Sequence, residues 1–176
     1  MMVKLRRTPG VYLVGFMGCG KSTVGKLLAE QLEWRFVDLD DDIEGREQTP
    51  ISQIFAQRGE PAFRRIEHEC LNTRVQEVRN LKPLVLALGG GAFIQDDNRS
   101  LISDAGISIW LDCPFPLVER RVAAFTHRPL AKDPEAFRRL FDERRPVYAL
   151  ADYRIAIESD DAASAVRAIM DLPGVF

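Results

Sequence analysis

The stretch Gly15-Phe16-Met17-Gly18-Cys19-Gly20-Lys21-Ser22 sets glycines, a lysine and a hydroxyl at the spacing G-x-x-x-x-G-K-[ST]. That spacing suits a loop wrapped around phosphates. Glycines let the backbone turn tightly and aim its N–H groups at anionic oxygens. Lys21 would set a compact positive charge on the β- and γ-phosphates of a nucleoside triphosphate. The Ser22 hydroxyl suits a Mg²⁺ ligand. Before the loop, residues 11–14 read as a short buried strand. After it, Val24, Leu27, Leu28 and Leu32 recur at helical spacing, so the loop opens a helix whose N-terminal dipole also favours phosphate. The expected triphosphate contacts are Gly18, Cys19, Gly20, Lys21, Ser22 and Thr23. The alternative is a glycine-rich turn that matches by chance, at a frequency of about one percent for average composition.

Further along stand other groups able to do chemistry. Asp38 and Asp40 are two apart, so while a strand persists they share a face beside the loop. One suits a water-mediated hold on Mg²⁺ and the other a substrate hydroxyl. A blander use of acids here, a helix N-cap, is expected at Asp41 or Asp42. A calcium loop is excluded, since the sixth position from Asp38 is Ile43 and the twelfth is Thr49. Arg64 and Glu67 lie three apart on one helical surface, a solvated ion pair if taken alone and a fork for a carboxylate if near phosphate. His68 reads as a surface helix residue. Leu84 to Leu88 runs into Gly89-Gly90-Gly91, where backbone and ligand can approach closely. Arg128 falls in a break between two helical patterns and suits a lid over the phosphates, or equally an exposed loop with incidental arginines. Asp133-Pro134 reads as the N-cap and first turn of the next helix, which ends in Arg144 to Tyr148.

The elements that must position these groups alternate. Expected strands at 11–14, 35–38, 84–88, 107–111 and 153–157 are separated by helical patterns. This implies a parallel α/β sheet with helices on both faces and ligands at the carboxyl ends of the strands. Two excursions, 41–80 and about 112–150, are candidates for substrate-binding and lid elements. The chain of 176 residues, 46% hydrophobic and 28% charged, suits one globular domain. Its formal charge of −2 gives no reason to expect nucleic acid or an anionic membrane as partner. Cys19, Cys70 and Cys113 are an odd set without metal-ligand spacing and suit a reducing compartment. No apolar run approaches the roughly 20 residues of a membrane span.

Together these residues resemble shikimate kinase, of the nucleoside monophosphate kinase-like branch of P-loop proteins. The resemblance covers nearly the whole chain. It rests on GFMGCGKST, the Asp38-Leu39-Asp40 pair, the IFAQRGEPAFRRIE block, the triple glycine, Arg128-Pro129-Leu130 and the Arg144 to Tyr148 stretch. It implies a three-layer α/β/α fold with a five-stranded parallel sheet, one kinase domain over 1–176, a helical substrate-binding insertion near 41–80 and a mobile lid near 121–133. It implies transfer of the ATP γ-phosphoryl group to the 3-hydroxyl of shikimate, within aromatic amino-acid biosynthesis in the cytoplasm, by a monomer. Lys21, Asp40 and Arg128 would be catalytic, with Asp40 at the reacting hydroxyl and Arg128 at the phosphates. Ser22 and Asp38 would serve Mg²⁺. Arg64, Arg144 and the backbone of Gly89, Gly90 and Gly91 would bind the shikimate carboxylate, with Glu67 orienting Arg64 and with Phe55 and Phe63 walling the ring. One departure is Ala124, which falls near where many members carry an arginine by the adenine.

Other readings are a kinase for gluconate or a nucleoside monophosphate, against which the FRxxE block argues, and a nucleotide switch. A GTP switch would want an N-K-x-D motif, which is absent, and the late D-x-x-G falls only at Asp171 to Gly174.

Overall fold

The computed structural model describes residues 10–124 and 133–176. Arg128, Pro129 and Leu130, and most of the expected lid, lie outside the described residues.

Five strands form one sheet: β1 (Gly10–Val14), β2 (Arg35–Asp38), β3 (Leu84–Ala87), β4 (Ile107–Asp112) and β5 (Tyr153–Ala156). They run in the order β2-β3-β1-β4-β5 with every neighbouring pair parallel. Interior strands β1, β3 and β4 are buried along their whole length, as a parallel sheet covered on both faces requires. The edge strands β2 and β5 keep exposed positions.

The covering helices are α1 (Lys21–Leu32), α2 (Leu39–Glu47), α3 (Ile51–Arg79), α4 (Asp96–Ser103), α5 (Phe115–Ala123), α6 (Pro134–Tyr148) and α7 (Ala162–Met170). This is the expected α/β/α architecture. In α1 the buried stripe is Val24, Gly25, Leu28 and Ala29, whereas Leu27, counted on the apolar face, is 39% exposed. Gly25 is what lets α1 lie against the sheet, because a Cβ there would stand 2.4 Å from the Phe36 ring.

The excursion over 41–80 becomes α2 packed on α3. Helix α3 is two helices joined at Gly59, whose φ of 79° is not helical. Pro61 then occupies the first turn of the second part, where a missing N–H costs nothing. Phe63, Cys70 and Val78 on that part enter the core. At α6 the Asp133 side chain accepts from the Ala136 N–H at 3.0 Å and Pro134 follows, matching the expected cap.

Two connections leave β1 and β3 in opposite directions, the first toward β2 and the second toward β4. The carboxyl ends of β1 and β3 therefore flank the point where the winding reverses, which is where open α/β sheets bind ligands. Among the described residues no helix is long and apolar enough to cross a membrane. All three cysteines are buried and free.

Candidate active site

The phosphate-loop motif connects β1 to α1 at that point. Gly20 caps α1 with φ 95°, a left-handed conformation that a side chain would strain, and its carbonyl accepts from the Val24 N–H at 2.9 Å. Lys21 Nζ donates to the carbonyls of Gly15 at 2.8 Å and Phe16 at 3.0 Å, so its charge sits inside the loop. The cleft in front is about 950 Å³ and is lined by Gly18 to Thr23, Asp38, Asp40, Gly89 and Gly90, and on its far side by Arg121 and 159–162.

Asp38 and Asp40 both line this cleft, but not as neighbours on a strand. The strand stops at Asp38 and α2 starts at Leu39, so Asp40 is in the first helical turn. The cause is a cap: Asp38 Oδ1 accepts from the Asp40 N–H at 3.0 Å. The cap expected at Asp41 or Asp42 is thus made by Asp38. Its other oxygen accepts from the Ser22 hydroxyl. Ser22 and Asp38 accordingly form a pair of hard oxygen donors at the loop's exit. Among the described residues no cluster of three or more His, Cys, Asp or Glu could hold a metal ion by itself.

Beyond the phosphate end, three glycines after β3 carry three different neighbours. A Cβ at Gly89 would stand 2.6 Å from Asp40 Oδ1, one at Gly90 would stand 3.2 Å from Arg144 Nη1, and one at Gly91 would stand 2.5 Å from Arg64 Nη2. Only bare backbone lets those groups converge. Arg64 Nη1 donates to Glu67 Oε1 at 2.7 Å, and Glu67 is 1% exposed. The pair is therefore not a solvated one. Burial pushes the Glu67 carboxyl above its ordinary value, opposed chiefly by the Arg64 charge. The paired carboxylate fixes where the guanidinium points.

Phe63 is buried and stacks on Phe55 with ring centroids 4.5 Å apart, leaving Phe55 37% exposed. Arg144 lies over the Phe16 ring at 5.9 Å. The site thus has a cation-rich end, an apolar wall and an acid beside the phosphate loop. His68 is half-buried, with Nδ1 at 2.7 Å from Asn98 Oδ1, and belongs to the packing of α3 rather than to an exposed face.

Two residues without an expected role stand in or behind the cleft. Arg121 donates to the Gly18 carbonyl at 3.1 Å and to Asp160 at 2.9 Å. It supplies an arginine on this wall three positions before Ala124. Tyr148 donates to the Gly90 carbonyl at 2.6 Å. Neither contact has a local sequence signal, since each joins segments far apart in the chain.

A family model described as shikimate kinase matches residues 17–172. The chain belongs to the shikimate kinase family. Among relatives, the shikimate kinase of Persephonella marina is 41% identical over 161 residues, covering 91% of this chain and 96% of that protein. That of Synechococcus elongatus is 42% identical over 171 residues, covering 94% and 87%. A solved structure of shikimate kinase from Acinetobacter baumannii, in complex with shikimate, superposes with a TM-score of 0.86 at 37% identity, covering 94% of this chain and 92% of that one. The shikimate kinase of Aquifex aeolicus gives 0.79 at 31% identity, covering 92% and 93%. The shikimate kinase family uses ATP as co-substrate.

Proposed function

We propose that this member of the shikimate kinase family transfers the γ-phosphoryl group of ATP to the 3-hydroxyl of shikimate, giving shikimate 3-phosphate and ADP. The observation that carries the reading is the glycine segment 89–91. It touches the Asp40 carboxylate at one end and the Arg64 guanidinium at the other. The segment is a turn, closed by the Ala92 N–H on the Gly89 carbonyl at 3.0 Å, so both groups face one short stretch of bare backbone. A small ring acid lying along it meets cations with its carboxylate and presents a hydroxyl to Asp40, next to the phosphate loop.

Arg64 and Arg144 take the carboxylate, and a guanidinium can do so with two parallel hydrogen bonds. Glu67 holds Arg64 in place. Phe55 and Phe63 exclude water from the ring face. Asp40 accepts a hydrogen bond from the reacting hydroxyl and turns its oxygen toward the γ-phosphate. Lys21 leaves its loop carbonyls for the phosphate oxygens, and Arg128 adds charge from the lid. Phosphoryl transfer needs mainly this alignment and neutralisation. Mg²⁺, held through Ser22 and Asp38, supplies further neutralisation of the phosphates when bound. The adenine lies toward Arg121 and 159–162. In this reading the chain is one kinase domain, with the α2–α3 insertion as its substrate arm and 121–133 as its lid, and its free thiols suit the cytoplasm.

The test is ADP release with Mg²⁺ and a panel of shikimate, gluconate, AMP and CMP. Turnover is expected with shikimate alone, and activity on gluconate or a nucleotide with none on shikimate would overturn the reading.

A further inference from the structure

The glycine segment is the part of the site that most needs fixing. Three successive glycines lose more backbone freedom on ordering than other residues, yet Asp40, Arg64 and Arg144 are all referenced to them. Two of the three carbonyls are held locally. Gly89 O accepts from the Ala92 N–H at 3.0 Å and Gly91 O accepts from the Ile94 N–H at 3.2 Å. The middle carbonyl, Gly90 O, is held from a distance, by the Tyr148 hydroxyl at 2.6 Å.

Tyr148 is suited to act as a fixed point. It is 1% exposed and its ring lies 6.3 Å from that of Trp110 on β4. One turn earlier on α6, Arg145 pairs with the buried Asp112 at the end of β4, at 2.5 and 3.2 Å. Arg154 on β5 reaches the same carboxylate at 2.5 Å. The carboxyl end of α6 is thus clamped to the sheet on one side while Tyr148 reaches the glycines on the other. Arg144, the neighbour of that clamp, faces Gly90. Burial keeps the Tyr148 hydroxyl protonated far beyond neutral pH, with Arg144 opposing weakly, so the group remains a donor.

We propose that Tyr148 is a positioning residue for the substrate carboxylate: its hydrogen bond to Gly90 O sets the glycine backbone and the α6 arginine in register with Arg64. The inference rests on the shikimate reading above and deepens it. Tyr148 touches no reacting atom. Its effect falls on one end of one substrate, which a general loss of stability does not imitate.

Tyr148→Phe keeps the ring against Trp110 and deletes only the hydroxyl. Losing a buried hydrogen bond of this kind should raise KM for shikimate roughly tenfold. KM for ATP should stay within about twofold. With the carboxamide analogue of shikimate, parent and variant should differ by less than about twofold, because the neutral amide gains little from the arginine pair. Ser108→Ala is the control. It removes a largely buried hydroxyl bonded to Asp152 near the opposite end of β4, so it should lower Tm without splitting the two KM values. Equal KM values in Tyr148→Phe and the parent, parallel rises for both substrates, an undiminished penalty with the amide, or the same split in Ser108→Ala would each overturn the inference. Failure of the parent chain to phosphorylate shikimate would overturn the functional reading and the inference with it. Parent turnover without a split overturns the inference alone.

Discussion

Asp38 and Asp40 touch different things, and changing each to asparagine should fail differently. Asp38 caps α2 and accepts from Ser22. Asparagine caps nearly as well as aspartate, so Asp38→Asn should stay folded. Its expected defect is a higher Mg²⁺ concentration for half-maximal rate, with partial recovery in excess Mg²⁺. Asp40→Asn should lower kcat by about 10²-fold, with no recovery, as loss of help at the reacting hydroxyl predicts. A Mg²⁺ titration of initial rate for both variants decides, and the reverse pattern would exchange their roles. Glu67 gives a pH signature. Its carboxyl titrates above the ordinary 4.5, because burial outweighs the Arg64 charge. The folded protein therefore keeps this proton to higher pH than the unfolded chain does. Glu67's contribution to stability falls as pH rises through the interval above 4.5. Glu67→Gln removes that titration, so its stability should decline less as pH rises above 4.5. Urea midpoints across the interval test this, and parallel curves would refute it.

At the scale of elements, what could be read from sequence was local. The loop between β1 and α1 announces itself because its glycines, lysine and serine are consecutive. The same holds for Asp133-Pro134 at α6, where backbone conformation depends on the residue itself. For the aspartate pair the expected strand end at Asp38 is the one found, and a shared strand face would require the strand to persist to Asp40; the cap made by Asp38 places Asp40 in the first helical turn instead. Tyr148 and Gly90 are 58 positions apart and Arg121 and Gly18 are 103 apart, so no periodicity connects them. Leu27 shows the limit of the stripe argument: the tight approach at Gly25 rotates α1 so that Gly25 and Ala29 face inward instead. Gly25→Ala should therefore destabilise by about 1–3 kcal/mol through overpacking against Phe36. Chemical denaturation measures it, and KM values should be unchanged, since the contact is with β2 and not with the cleft.

Across the whole molecule, all strands point their carboxyl ends toward one edge, and both substrates would meet there. Ligands that bind only the folded state stabilise it by about 2.7 kcal/mol at a hundred times Kd. For a chain of this size that corresponds to a Tm rise of about 5–10 °C. Shikimate at that excess should give such a rise in thermal unfolding, and Arg64→Lys should give less at the same concentration, since an ammonium lacks the planar fork. An equal rise would remove Arg64 from the carboxylate site. The opposite edge of the sheet has a practical use. Gly10 begins β1 there, and Phe176 rests its ring 6.2 Å from Trp34, the residue before β2. Both described ends of the chain therefore leave the sheet on the side away from the cleft. A tether, dye or fused reporter attached at Phe176 hangs from the back of the molecule, leaving the mouth open for single-turnover or surface-immobilised measurements.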